Sequence, residues 1–129
     1  MTKYVNPASW AAPKGYNNGV VAEGPILAIA GQTGWNERGE FASDDFLEQA
    51  VQALRNVIAV LTAAGGLPEN IIRMTWYVTD KREYLAASRE LGRAYKEILG
   101  SHYPAMTLVQ VAALLEDRAK VEIEATAVL

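Results

Sequence analysis

Cysteine is absent from the chain and histidine occurs once, at His102. Without cysteine there is no disulfide, no thiolate metal site and no cysteine nucleophile, and the absence fits a reducing compartment. A single histidine leaves no usual zinc ligand set, and no Gly-x-Ser-x-Gly elbow stands in the sequence to pair with it in a triad. Long apolar runs are missing too. Nothing reaches the roughly 18 apolar residues of a membrane span, and the start, Met1-Thr2-Lys3-Tyr4-Val5-Asn6-Pro7, has no stretch of signal-peptide character. The expected location is therefore the cytoplasm, with no membrane partner. Basic clusters are equally scarce. Twelve Lys and Arg against fifteen Asp and Glu give a formal net charge of −3, and of the basic residues only Lys81 and Arg82 stand together. A nucleic-acid surface needs a basic stripe to neutralise phosphates, so nucleic acid is not expected as a partner. Gly31-Gln32-Thr33-Gly34 lacks the lysine and the spacing of a phosphate-binding loop. No metal and no cofactor are expected.

What is present is the ordinary balance of a globular chain: 129 residues, 50% hydrophobic and 21% charged. That length suits one domain, residues 1–129, able to bury roughly two thirds of its unfolded surface without covalent staples. Pro7, Pro13, Gly15 and the pair Asn17-Asn18 mark the first eighteen residues as an irregular arm with a short strand at 3–5. Two short strands follow at 20–23 and 26–30, divided by Gly24-Pro25. Ser43-Asp44-Asp45 supplies a helix cap, and Phe46, Ala50, Ala53, Leu54, Val57, Ile58 and Leu61 recur at helical spacing until Gly65-Gly66. A strand rich in β-branched and aromatic residues is predicted over 71–79. Thr79-Asp80 with Glu83 reads as the capping box of a second helix, whose stripe is Tyr84, Leu91, Ala94, Tyr95 and Ile98 and whose end is Gly100. Strands at 105–114 and 120–128, joined by the turn Glu116-Asp117-Arg118, complete the chain.

This order predicts an α+β fold: a six-stranded mixed sheet with two helices on one face. The other face is left open. In the last strand Val121, Ile123, Ala125 and Ala127 point one way, while Lys120, Glu122, Glu124, Thr126 and Val128 point the other. The strand before it is largely apolar on both sides. A sheet face that mixes apolar side chains with carboxylates is the kind that meets another subunit, so a homo-oligomer is expected.

The chain resembles the Rid family, the reactive-intermediate deaminases once labelled translation inhibitors or L-PSP endoribonucleases. The resemblance spans essentially the whole chain. It is carried by Gly15-Tyr16, Ala30-Gly31-Gln32, Gln49-Ala50 with Asn56, Ala63-Ala64-Gly65, Tyr77-Val78-Thr79-Asp80, Tyr103-Pro104-Ala105 and Val121-Glu122-Ile123-Glu124-Ala125. It implies the chorismate-mutase-like (YjgF) fold, a homotrimer whose sheets face inward as a barrel, and a small-molecule pocket in the clefts between subunits. It also implies an activity, hydrolysis of enamines and imines such as 2-aminoacrylate to ammonia and a keto acid. Within that pattern Glu122 matches the residue that positions the attacking water, Tyr16 the pocket tyrosine and Gly31 the glycine whose backbone faces the ligand. Three positions depart from it. Met106 stands where an arginine usually forks the substrate carboxylate, Ala30 where a serine is usual, and Ser88 where an asparagine is usual. A thioether cannot hold a carboxylate, and one lost charge-assisted hydrogen bond is worth about 1.5–3 kcal/mol. These departures count against the ordinary aminoacrylate reading and match the family's arginine-less subgroups.

The expected site is thus Glu122 as the catalytic group, with Tyr16, Ala30, Gly31, Ser88 and Met106 around the substrate. Two functions compete for it: an enamine or imine deaminase, and a non-catalytic binding or sensing module that uses the same cleft. Among the neighbours, Glu124 reads as structural, paired with an Arg or Lys of a neighbour, and Arg73 as a surface ion-pair member. Trp35, just past Gly31-Gln32, is a weaker candidate for the pocket wall.

Overall fold

The computed structural model describes residues 2–129. Six strands and three α-helices run in the order β1 (Thr2–Val5), β2 (Gly19–Ala22), β3 (Ile26–Gln32), α1 (Phe46–Ala63), β4 (Ile71–Val78), α2 (Lys81–Ala86), α3 (Ser88–Leu99), β5 (Ala105–Gln110) and β6 (Val121–Val128). The fold is α+β, as the sequence predicts, but the six strands do not form one sheet. Four of them are ordered β3-β6-β4-β5, with β4 and β5 parallel and the other pairs antiparallel, while β1 and β2 pair separately as an antiparallel ribbon. The cause lies at Gly24-Pro25. Gly24 has φ +145°, and Pro25 has no N–H to give, so β2 cannot hairpin into β3. The ribbon instead reaches the larger sheet at the far edge, where Asn17 bridges Ala105 and its side-chain amide donates to the Tyr103 carbonyl at 2.6 Å.

The α1 stripe is buried as expected. Asp45 caps the helix by accepting from the Glu48 N–H at 3.0 Å, and Phe46, Ala50, Ala53, Leu54, Val57 and Leu61 are buried, with Ile58 packed beside them. Gly65, at φ +82°, closes the C-terminus, its N–H donating to the Thr62 carbonyl. The stripe has one polar member that periodicity does not mark. Gln49 is 1% exposed; its amide donates to the carbonyls of Ser43 and Arg118, both at 3.0 Å, and its carbonyl accepts from the Lys120 N–H at 2.8 Å. It ties the start of α1 to the start of β6.

The second predicted helix is two. Ala87 (φ −95°, ψ 3°) separates α2 from α3, with neither glycine nor proline to announce the break. Asp80 caps α2 by accepting from the Arg82 N–H, but Glu83 does not complete the capping box. Its carboxylate pairs with Lys120 Nζ at 3.3 Å. β5 ends at Gln110, short of the predicted 114, because β6 lies on the far side of β4 and the chain must cross the end of β4 to reach it.

Strand alternation then divides the sheet. Met74, Trp76 and Val78 of β4 and Val121, Ile123, Ala125 and Ala127 of β6 are buried under α1 and α3, where Leu91, Tyr95 and Leu99 meet them. Arg73, Thr75 and Tyr77 with Glu122, Glu124 and Thr126 occupy the opposite face, which no helix of this chain covers.

Candidate functional site

Two groups of residues emerge, one on each face of the sheet. The first begins where β3 passes β6. Ile29 pairs with Ala125 and Gln32 with Ile123, so two residues, Ala30 and Gly31, stand opposite Glu124 alone. This is a β-bulge, a device that releases backbone from the ladder and re-aims the strand. It also carries β3 past the predicted end at Ala30. A Cβ placed on Gly31 would lie 2.8 Å from Cδ and 2.9 Å from Cγ of Glu122, and closer still to Oε2. The Glu122 side chain therefore rests directly on the bare Gly31 backbone. Among the described residues it has no side-chain hydrogen bond or ion pair.

The loop that leaves the bulge is held from α1. Asn56 donates from its side-chain amide to the carbonyls of Thr33 (3.0 Å) and Trp35 (2.8 Å), and Gln52 donates to Asn56 Oδ1 at 2.9 Å. Trp35 packs at a tilt on Phe41, 6.2 Å between ring centroids, and is not in the wall of the cavity described below.

Glu124, two residues on, has a partner within the chain. The Tyr77 hydroxyl donates to Glu124 Oε1 at 2.6 Å across the β4–β6 pair. That hydrogen bond is the main cause that raises the Tyr77 pKa above the ordinary phenol value; desolvation and the Glu124 and Glu122 charges add to it, and Arg73 opposes them. Arg73 itself is exposed and, among the described residues, in no salt bridge.

The second group lies on the helix side. A cavity of about 180 Å³ opens between α3 and the sheet. Met106 and Trp76 form its floor, Ser88, Leu91 and Tyr95 its α3 wall, and Gly15, Tyr84, Gly92 and Tyr103 the remainder. Tyr95 and Tyr103 stack 5.5 Å apart at 6°. Burial pushes the Tyr95 hydroxyl far above the ordinary phenol range. Tyr16 follows the lining residue Gly15 and is 40% exposed.

The six expected residues are thus brought together in part. Ala30, Gly31 and Glu122 form one group, and Ser88 and Met106 another, but the two groups do not converge within one chain. The reason is strand parity. Met106 pairs with Met74 on the helix-covered face, whereas Glu122 pairs with Tyr77 on the open one. The aromatic wall was hidden in the sequence because Tyr84, Leu91 and Tyr95 share the periodicity of a core stripe. The His102 side chain belongs to neither group, although its backbone carbonyl accepts from the Tyr95 hydroxyl at 3.4 Å. Its Nε2 donates to the Ile71 carbonyl at 2.6 Å, which leaves Nδ1 to accept from the Tyr4 hydroxyl, also at 2.6 Å, so it ties the β1–β2 ribbon to the end of the sheet. Among the described residues no cluster of three or more His, Cys, Asp or Glu could hold a metal ion, and no helix is long and apolar enough to cross a membrane.

The chain thus combines an α+β fold, a bulged edge strand with a carboxylate laid on the bulge, and an aromatic cavity behind the sheet. The chain belongs to the Endoribonuclease L-PSP family, the Rid (YjgF) proteins, whose sequence model matches residues 7–129. It is 34% identical over 128 residues to a RutC family protein of Pasteurella multocida, covering 99% of this chain and 98% of that protein. It is 32% identical over 114 residues to the human 2-iminobutanoate/2-iminopropanoate deaminase, covering 88% and 79%. Among solved structures, the Rid-family protein YyfB of Yersinia pestis superposes with a TM-score of 0.86 at 33% identity, covering 99% and 98%. Escherichia coli TdcF with bound serine superposes with a TM-score of 0.72 at 33% identity, covering 98% of each.

Proposed function

We propose that this chain is a hydrolase of enamines and imines, working in clefts shared between the subunits of a homotrimer in the cytoplasm. The observation that carries the reading is the unpaired Glu122 carboxylate resting on Gly31 at the β-bulge. A carboxylate free of a fixed partner can hold a water and take its proton. The imine tautomer of the substrate accepts the water oxygen at carbon while one water proton passes through Glu122 to nitrogen; the hydroxyl proton of the resulting carbinolamine then follows to nitrogen, the C=O bond forms and the C–N bond breaks. One imine and one water give one carbonyl compound and one ammonia. Backbone released from the ladder at Ala30-Gly31 stands beside the point where negative charge develops. The names of relatives, imine deaminase in human and reactive intermediate deaminase in E. coli, support the class of reaction.

The parity of the sheet supports the shared cleft. Glu122 and Met106 lie on opposite faces of one chain, so a substrate that touched both groups would need residues of a second copy. RNA cleavage has no comparable support in a chain of net charge −3 with scattered bases.

A second reading, a binding or sensing module, is favoured by one feature: Met106 and Ser88 leave the cavity without a charged group. The two separate on one variant. Glu122→Gln keeps the size of the side chain and removes its basicity, so ammonia release from freshly generated imines should fall by about 10²-fold or more while the melting curve and trimer persist. Undiminished ligand binding with no turnover in either protein would establish the binding module. Loss of the trimer would make Glu122 a structural residue.

A further inference from the structure

The cavity beneath α3 has walls but no charge. None of its lining residues is Asp, Glu, Lys, Arg or His, and the α3 cations nearest in sequence, Arg89 and Arg93, are exposed and outside the wall. A carboxylate brought there would give up hydration with no cation to replace it, a transfer that strongly disfavours the charged form. Four aromatic rings, Trp76, Tyr84, Tyr95 and Tyr103, offer flat apolar surface instead. The volume, about 180 Å³, sets the scale. A protein cavity of about 150 Å³ takes up benzene, so this one suits a ligand of a single ring with a small substituent. One polar need remains unmet. Trp76 is 3% exposed and its indole N–H has no acceptor, a donor that the chain itself leaves without a partner. That nitrogen is itself sealed off, so the polar contact open to a ligand is the Ser88 hydroxyl at the α3 end of the wall.

We propose that this cavity selects an uncharged, flat, ring-sized substrate with a hydrogen-bond acceptor: an enamine or imine whose acid group is absent or masked as an amide or ester. The proposal deepens the hydrolase reading above and rests on it. Its test needs no turnover, so the two can fail separately. Benzamide and benzoate have nearly the same shape and differ in charge at neutral pH. Each is titrated into the wild-type protein while the Trp76 indole N–H resonance is followed by NMR, with the assignment made by Trp76→Phe. Benzamide should move that resonance and saturate at a concentration lower than benzoate by about tenfold or more, because only the acid must shed a charged hydration shell. Met106→Arg should invert the order and raise ammonia release from 2-aminoacrylate. Ser88→Arg, at an exposed position of the same wall, should shift the preference the same way should the first variant fold poorly. Benzoate binding as tightly as benzamide overturns the proposal, and so does a Trp76 resonance that neither probe moves. Wild-type turnover of 2-aminoacrylate as fast as that of its amide also overturns it, while leaving the hydrolase reading intact. A clear benzamide preference with no imine ever hydrolysed does the reverse.

Discussion

Glu122 and Gly31 sit on adjacent strands, and each constrains the other. Any side chain on Gly31 must displace the Glu122 carboxyl, since a Cβ would come within 2.8 Å of its Cδ. The obstacle is the far end of a flexible side chain rather than backbone, so the fold can absorb it by moving Glu122. Gly31→Ala should therefore leave the melting temperature nearly unchanged yet lower ammonia release by roughly 10–10²-fold, because a shift of about 1 Å in a reacting group has that scale of effect. Parallel melting and rate measurements check it. A variant with full activity would show that the Glu122–Gly31 contact has no part in the chemistry. Glu124 is different in kind: it faces the same way, but the Tyr77 hydroxyl holds it at 2.6 Å. Of the two carboxylates on this face, Glu124 gives one oxygen to the Tyr77 hydroxyl, while Glu122 has no side-chain partner among the described residues. The sequence shows the shared face, through the alternation from Val121 to Val128, but not that pairing, because Tyr77 and Glu124 are far apart along the chain.

At the scale of elements, the bulge of β3 is supported from α1. Asn56 holds the loop that follows it, and Gln49 fastens the helix start to β6. Replacing Gln49 by Ala strands three backbone groups in a buried place, the carbonyls of Ser43 and Arg118 and the N–H of Lys120. The expected loss is about 2–4 kcal/mol, read as a lower midpoint in urea with an unchanged slope. A loss under about 0.5 kcal/mol, the range of an ordinary surface change, would mean that water takes over these bonds. The α2 cap offers a pH test. A side-chain hydrogen bond from Arg82, then one from its backbone N–H, holds the Asp80 carboxyl below its ordinary value. Since the folded-state pKa is the lower one, the contribution of Asp80 is complete above the unfolded value and fades as pH falls through the folded one. An NMR titration of the Asp80 carboxyl should therefore midpoint below the usual aspartate value, and Arg82→Ala should move it upward. No movement would show that Arg82 does not hold it. The split between α2 and α3 has no trace in the sequence, for Ala87, where it falls, is a good helix former.

For the whole molecule, the open face of the sheet is the feature that one chain leaves unresolved. It presents Val109, 40% exposed, beside Thr75, Tyr77 and two carboxylates, a composition neither wet nor dry. Purified protein should run near three times 14.0 kDa in light scattering. A clean monomer at micromolar concentration would undo both the interface and the shared cleft. On the shared-cleft reading, Val109→Lys on that face should shift the population toward smaller species and lower activity with it.

The sequence by itself determined what neighbouring residues can encode. The stripe of α1, the two-sided alternation of β6, the exclusion of thiolate chemistry and the Rid-type residues Gly31 and Glu122 are all local patterns, set by period and by side-chain type. Tertiary structure decided everything that depends on which distant segments meet. It parted β1–β2 from the main sheet at Gly24-Pro25, turned Glu124 toward Tyr77, and enclosed Trp76, Tyr84, Tyr95 and Tyr103 around one cavity. It also put Met106 and Glu122 on opposite faces, because the register of β4 against β5 and β6 fixes each side chain's face, and register is a property of strand pairs rather than of any one strand.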